Sequence, residues 1–154
     1  LLYGRYQDQV KAQETLTYMQ PFYDLLKKHQ GKMIYIDFWG PWCPPCLAEM
    51  EPLKELRKKY STDDIVFISI CRNDDRKQYK QVLDKYGMHV DGIEHIHADD
   101  LQAESQVHKM YNQLNIDGIP YFFIINREGV IVNYGSMMRP SYPGTAECIE
   151  EWLE

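Results

Sequence analysis

The sequence predicts an α/β protein with a mixed central sheet and helices on both faces. Three observations carry that reading. Apolar runs at 33–39, 65–70 and 121–125 have the length of strands and little polar interruption, the pattern of strands covered on both faces. Segments with helical punctuation separate them, as expected where strands are joined by crossovers. The third run leads into Asn126-Arg127-Glu128-Gly129 and a further apolar stretch at 130–134. That is hairpin chemistry, with Gly supplying a positive φ, so part of the sheet is antiparallel.

Taken in order, Gln20-Pro21 opens a helix, because proline is tolerated in a first turn. Lys27, Lys28 and His29 lie near its end and Gly31 stops it, as the helix dipole and a left-handed cap favour. Met33–Trp39 is a buried central strand. A helix follows over 47–60, and Pro52 is expected to kink it by removing a donor and crowding the preceding turn. Ile65–Ile70 is a second buried strand. A helix through Tyr79, Val82, Leu83 and Tyr86 ends at Gly87, and 93–97 reads as a short strand. Residues 105–114 form another helix, and Ser141 is placed to cap the last one, running to Glu154.

The 154 residues suffice for one domain with a sizeable core. Hydrophobic residues make up 44%, with 12 Tyr and 3 Trp, which argues against disorder. The net charge of −6 gives no electrostatic case for nucleic acid, which needs a basic patch. No apolar run reaches the length of a membrane span. The chain begins Leu1-Leu2-Tyr3 and reads as a trimmed or processed piece of a longer protein, with room for an anchor upstream.

Four cysteines, Cys43, Cys46, Cys71 and Cys148, are too few to staple a chain of this length. A zinc ribbon needs a second Cys-x-x-Cys or a spaced His pair, so no metal is expected. His95 and His97 would share a face of a strand, but the pattern reads better as a solvated edge strand running into a polar turn. Cys71 and Cys148 read as small buried hydrophobes.

The informative stretch is Asp37-Phe38-Trp39-Gly40-Pro41-Trp42-Cys43-Pro44-Pro45-Cys46. A strand that ends in Trp-Cys-x-x-Cys and opens a helix puts Cys43 at the helix N-terminus. Unpaired backbone N–H groups and the dipole stabilise a thiolate there. That thiolate can attack a disulfide, and Cys46, one turn inside, can resolve the mixed disulfide. Pro44 and Pro45 suit the first helical positions but offer no N–H to the Cys43 sulfur. The nearest remaining donors are the amides of Cys46 and Leu47. A structural disulfide or half a zinc site are the bland alternatives, and the flanking Trp42 with the strand-to-helix context favours redox chemistry.

This segment resembles the active site of the thioredoxin superfamily. Gly118-Ile119-Pro120 is similar to that family's cis-proline loop and 126–131 to its following hairpin. The similarity is greatest to the extracytoplasmic TlpA/ResA-like thiol–disulfide oxidoreductases, which carry a helical insert before the cis-proline. Cys46 and Pro120 are 74 positions apart, leaving room for such an insert at about 72–98. The resemblance implies a thioredoxin-like domain over 31–154. Residues 1–30 read as mostly helical where the family begins with a short β-hairpin, a departure that suggests an N-terminal extension or a fused upstream domain. It implies a protein dithiol–disulfide oxidoreductase in the bacterial periplasm or anchored facing it. Its partners would be disulfide-containing proteins and an upstream thiol donor, with no cofactor beyond the Cys43–Cys46 disulfide.

The resemblance further implies a cis Ile119–Pro120 bond facing the Cys43 sulfur, with Ile119 offering its backbone to an extended substrate. Trp42 and Pro44 would help line the docking groove, and Trp39 and Trp42 read equally well as core. Asp37 matches the buried acid behind the second cysteine. Burial should raise its pKa, so that it could take the Cys46 proton during resolution. Asp74 and Asp75 lie where relatives often place a carboxylate, although a helix N-cap explains them better. Two other classes fit the sequence less well. A peroxiredoxin-like peroxidase wants a lone peroxidatic cysteine in a Pro-x-x-x-Thr/Ser-x-x-Cys context, which 41–46 does not supply. A binding or chaperone module would use the pair only for docking.

Overall fold

The structure, a computed structural model, describes residues 19–72, 76–101 and 104–154. The elements run α1 (Gln20–Lys28), β1 (Met33–Trp39), α2 (Pro44–Ala48), α3 (Met50–Lys58), β2 (Ile65–Cys71), α4 (Arg76–Lys85) and β3 (Ile93–His97). A 3₁₀ turn (Ala98–Asp100) then leads to α5 (Glu104–Gln113), β4 (Tyr121–Ile125), β5 (Ile131–Gly135), a second 3₁₀ turn (Ser136–Met138) and α6 (Pro143–Leu153). The strands form one sheet in the order β3-β2-β1-β4-β5. β1 pairs parallel with β2 and antiparallel with β4, β2 pairs parallel with β3, and β4 pairs antiparallel with β5. This is the mixed α/β sheet that the apolar runs and the hairpin predict, in a thioredoxin-like arrangement.

β1 is central, and all seven of its residues are buried. Its side chains alternate between two cores. Ile34, Ile36 and Phe38 join α1 and α5 in one layer. Met33, Tyr35 and Trp39 join α3, α4 and α6 in the other, together with Cys43 and Cys46. In the hairpin, Asn126 Oδ1 accepts from the amides of Glu128 and Val130 at 3.1 and 2.9 Å. Gly129 takes φ +80°, a conformation that costs other residues strain.

Several elements differ from expectation. The helix expected over 47–60 begins at Pro44 and breaks at Glu49 (φ −92°, ψ 0°). The break lies three residues before Pro52, because a proline ring crowds the carbonyl four residues earlier, here that of Ala48. Ser141 does not cap α6. Tyr142 is the N-cap residue and Pro143 opens the helix, while Ser141 donates its amide and hydroxyl to Glu49 at 2.8 and 2.7 Å. β3 is an edge strand, but its histidines are not solvated: His97 is fully buried and His95 is half-buried. α4 covers that face, so the edge is screened from one side. The segment read as an insert folds as α4 and β3 and completes the sheet. Cys71 is buried, whereas Cys148 is half-buried. Asp74, Asp75 and residues 1–18 of the N-terminal extension lie outside the described residues.

Candidate active site

The strand β1 delivers the chain to the site. It ends at Trp39, and Gly40 follows because a side chain there would collide with the Trp42 indole, whose ring atoms stand 2.7–2.9 Å from the position of a Cβ. Trp42 covers that glycine on one side and is half exposed on the other. It therefore belongs to the surface rather than to the core. Cys43 is the N-cap of α2, in an extended conformation (φ −102°, ψ 97°). Pro44 and Pro45 occupy the first helical positions, where no backbone N–H is missed.

Cys43 and Cys46 are joined as a disulfide, with Cα atoms 5.2 Å apart. The Cys46 amide points at the Cys43 sulfur at 3.3 Å. The Leu47 amide, the other donor expected there, bonds instead to the Cys43 carbonyl at 3.0 Å. One backbone donor thus serves the sulfur. Both cysteines are largely covered, Cys43 6% and Cys46 3% exposed, so the outer thiol is the more accessible of two guarded ones.

Asp37 lies on β1 between Tyr35 and Trp39, and by strand alternation its side chain faces the layer that holds both cysteines. Its partner is Ser69, the residue opposite it on β2, whose Oγ donates to Asp37 Oδ2 at 3.3 Å. Burial pushes the Asp37 pKa up to about 7. The Ser69 bond pulls it down and the negative charge of Glu49 adds to the rise. Tyr35 is pushed well above its ordinary range by burial, then by Asp37 and Glu49; its hydroxyl donates to the Met138 carbonyl at 2.7 Å.

The Ile119–Pro120 bond is cis. It leads directly into β4, whose Tyr121 pairs with Phe38 near the end of β1. Ile119 packs against the cluster that contains both cysteines. Cys43, Cys46 and Asp37 thus share one layer at one end of the sheet, Ile119 packs against both layers, and Trp42 and Pro44 are exposed beside the cysteines. Among the described residues, no group of three or more His, Cys, Asp or Glu is arranged to hold a metal ion. No helix there is long and apolar enough to cross a membrane.

Sequence reasoning missed Ser69 and Glu49. Ser69 carried the same signal as Asp37, a polar residue inside an apolar strand. Glu49 stands one helical turn beyond Cys46, but its tie to Ser141 crosses 92 positions and has no local signature.

A buried acid and a helix-capping Cys-x-x-Cys disulfide thus share one layer of a thioredoxin-like sheet. The chain belongs to the thioredoxin-like family, whose model matches residues 31–131. It is 27% identical over 134 residues to the thiol-disulfide oxidoreductase ResA of Halalkalibacterium halodurans, covering 84% of this chain and 65% of that protein. It is 26% identical over 107 residues to ResA of Bacillus thuringiensis, covering 70% and 56%. The chain therefore spans somewhat under two thirds of these relatives' length. Among solved structures, a Bacteroides vulgatus protein described as a candidate thiol-disulfide oxidoreductase is 36% identical with a TM-score of 0.65, covering 83% of this chain and 78% of the other.

Proposed function

We propose that this protein is an extracytoplasmic thiol–disulfide oxidoreductase that reduces or exchanges disulfides in other proteins. The observation that carries the reading is the Cys43–Cys46 disulfide at the N-terminus of α2, on the same layer as a buried carboxylic acid. ResA relatives bearing the name thiol-disulfide oxidoreductase support it.

Cys43 is the attacking thiol. Its thiolate, favoured by the helix N-terminus and the Cys46 amide, displaces one sulfur of a substrate disulfide and forms a mixed disulfide. Asp37 takes the proton of Cys46, whose thiolate then attacks Cys43. The Cys43–substrate bond breaks, the substrate leaves as a thiolate, and the Cys43–Cys46 disulfide closes. An acid titrating near 7 suits this transfer, because a general base works best with a pKa near the working pH. An extended substrate segment docks beside Pro120, pairs with the Ile119 backbone and rests on Trp42 and Pro44. An upstream thiol donor returns the pair to the dithiol form.

The test is an insulin-reduction assay with dithiothreitol, together with the Cys43/Cys46 potential measured against glutathione. Turnover that requires both cysteines, with a potential below that of glutathione, is expected for a reductant. A potential well above it would make the protein an oxidant, and no turnover would leave a docking module.

A further inference from the structure

A row of polar side chains crosses the sheet beneath the redox helix. Asp37 on β1 is opposite Ser69 on β2, and Ser69 is opposite His95 on β3. Directly paired residues of a parallel sheet point to the same face, and neighbouring strands lie about 4.8 Å apart. The three side chains therefore stand in line. Ser69 is 1% exposed and already bonded to Asp37. At the far end, His95 Nε2 lies 2.7 Å from the Met88 carbonyl. A carbonyl only accepts, so Nε2 carries the hydrogen, and in the neutral ring Nδ1 is an acceptor. That Nδ1 is buried and has no hydrogen-bond partner. His95 also lines an open cavity of about 620 Å³ with Arg76, Tyr79, Lys80 and His89, and the two histidine rings are 5.9 Å apart.

We propose that Ser69 and His95 form a proton relay that connects Asp37 to this cavity. The inference rests on Asp37 being the acid that serves Cys46. When Asp37 takes the Cys46 proton, it turns from acceptor to donor and gives a hydrogen to Ser69 Oγ. The Ser69 hydroxyl, no longer bonded to a carboxylate, is free to turn its own hydrogen to His95 Nδ1. The resulting imidazolium gives up its Nε2 proton on the cavity side, to His89 or to buffer, and the bond to the Met88 carbonyl is lost until that proton returns. One proton enters the chain and one leaves, and no electrons move along it. Reduction of the disulfide by the upstream donor runs the same path backwards, because the Cys46 thiolate must regain its proton. That reversal restores the Ser69 hydroxyl and the His95 tautomer.

The charges at the two ends make His95 a transient carrier of the proton and not its resting place. Asp37 faces Glu49 and Tyr35, so an anion there is opposed and the proton is held until it is passed on. His95 faces His89, and the cavity wall adds Arg76 and Lys80. Burial, and to a lesser degree His89, lowers its pKa, while the Met88 bond works against them. His95 is accordingly neutral at rest, able to accept a proton and quick to lose it.

Ellman's reagent tests the relay. The reduced protein releases one thionitrobenzoate when Cys43 is capped and a second when Cys46 resolves the mixed disulfide, so formation and resolution are read separately by stopped flow. At pH 7 in dilute buffer, Ser69→Ala and His95→Gln should each slow resolution about tenfold, below the 10²–10⁴ that direct general acid–base catalysis supplies. Ser69→Thr, which keeps the hydroxyl, should stay near the wild-type rate. Added imidazole should restore His95→Gln, where the break faces the cavity, and should not restore Ser69→Ala, where it lies inside. Wild-type resolution in Ser69→Ala and His95→Gln alongside slow resolution in Asp37→Asn would overturn the relay and spare the acid. Unchanged resolution in Asp37→Asn would sink the acid and the relay with it. Should the variants fold poorly, the unaltered protein still decides. Transfer through several hydrogens requires a curved dependence of the resolution rate on the D₂O fraction, and a linear one rejects the relay.

Discussion

The two faces of the central sheet are built from the same strands yet do different work. On one, Ile34, Ile36 and Phe38 of β1 meet Ile68 and Ile70 of β2 and the apolar faces of α1 and α5. On the other, Tyr35, Asp37 and Trp39 meet Phe67, Ser69 and Cys71 under the redox helix. Each residue step along β1 changes face, so an inert filler and a functional group can be neighbours in sequence. Burial is similar on both sides: Phe38 is 0% and Asp37 8% exposed. The difference lies in what burial does. For a phenyl ring it is favourable transfer from water, and for a carboxyl it is a penalty on the charged form, which tunes the acid.

Four experiments break or sharpen that contrast. The largest effect belongs to the redox layer. Cys43→Ser should abolish disulfide reduction, while Cys46→Ser should accumulate mixed disulfides that non-reducing electrophoresis and mass spectrometry detect. Trapping by Cys43→Ser in place of Cys46→Ser would reverse the two roles. Next comes the inert layer. Phe38 packs edge-on to Tyr111 and Phe123, with ring centroids 5.6 and 5.8 Å away. Phe38→Ala should cost about 3–5 kcal/mol in urea unfolding, with the thiol-exchange rate of the folded fraction little changed. A large loss of exchange in still-folded protein would erase the division between the layers.

Asp37 gives a pH-dependent effect. Its folded pKa of about 7 stands above the ordinary 3.8. Between those values the folded state holds a proton that the unfolded chain has lost, so raising the pH destabilises the fold. Below about pH 4 the site costs nothing, and above pH 7 the cost is complete, on the order of 4 kcal/mol. Asp37→Asn should therefore gain stability over the wild type across that window. Urea midpoints at pH 4.5 and 7.5 check it, and a gap between the two proteins that does not widen with pH would contradict the raised pKa. The smallest effect is at the rim. Trp42→Ala should change stability by less than about 1 kcal/mol, since surface substitutions remove little burial, yet raise KM for a protein disulfide several-fold. An equal loss with a small disulfide such as Ellman's reagent would mean that Trp42 shapes the thiols and not the docking surface.

Much of the site could be read along the chain because its decisive features are local. An aspartate amid Met33–Trp39 stands out against an apolar strand, and two cysteines around two prolines at a strand-to-helix turn need only a few residues of context. The helix break was legible in kind and in place, in the turn before Pro52, because proline acts on the carbonyl four residues behind it. Ser141 had the chemistry of a cap, but Pro143 opened the helix one residue later and the serine found Glu49. His95 and His97 carried no local mark of burial, since α4, which covers them, is brought back by the Gly87 turn and not by the strand's own pattern.

Periodicity, punctuation and the Cys-Pro-Pro-Cys turn by themselves determined the α/β class, most of the strands and the place of the dithiol, because each depends on residues within a few positions of one another. Only the tertiary structure decided which polar residue meets Asp37, that Glu49 adds its charge to the same pocket, and that Ser69 and His95 continue the row across the sheet. Those relations depend on strand register, and register joins residues 32 and 26 positions apart along the chain. It is set by how two whole cores close on the sheet, a condition that no short window of sequence contains.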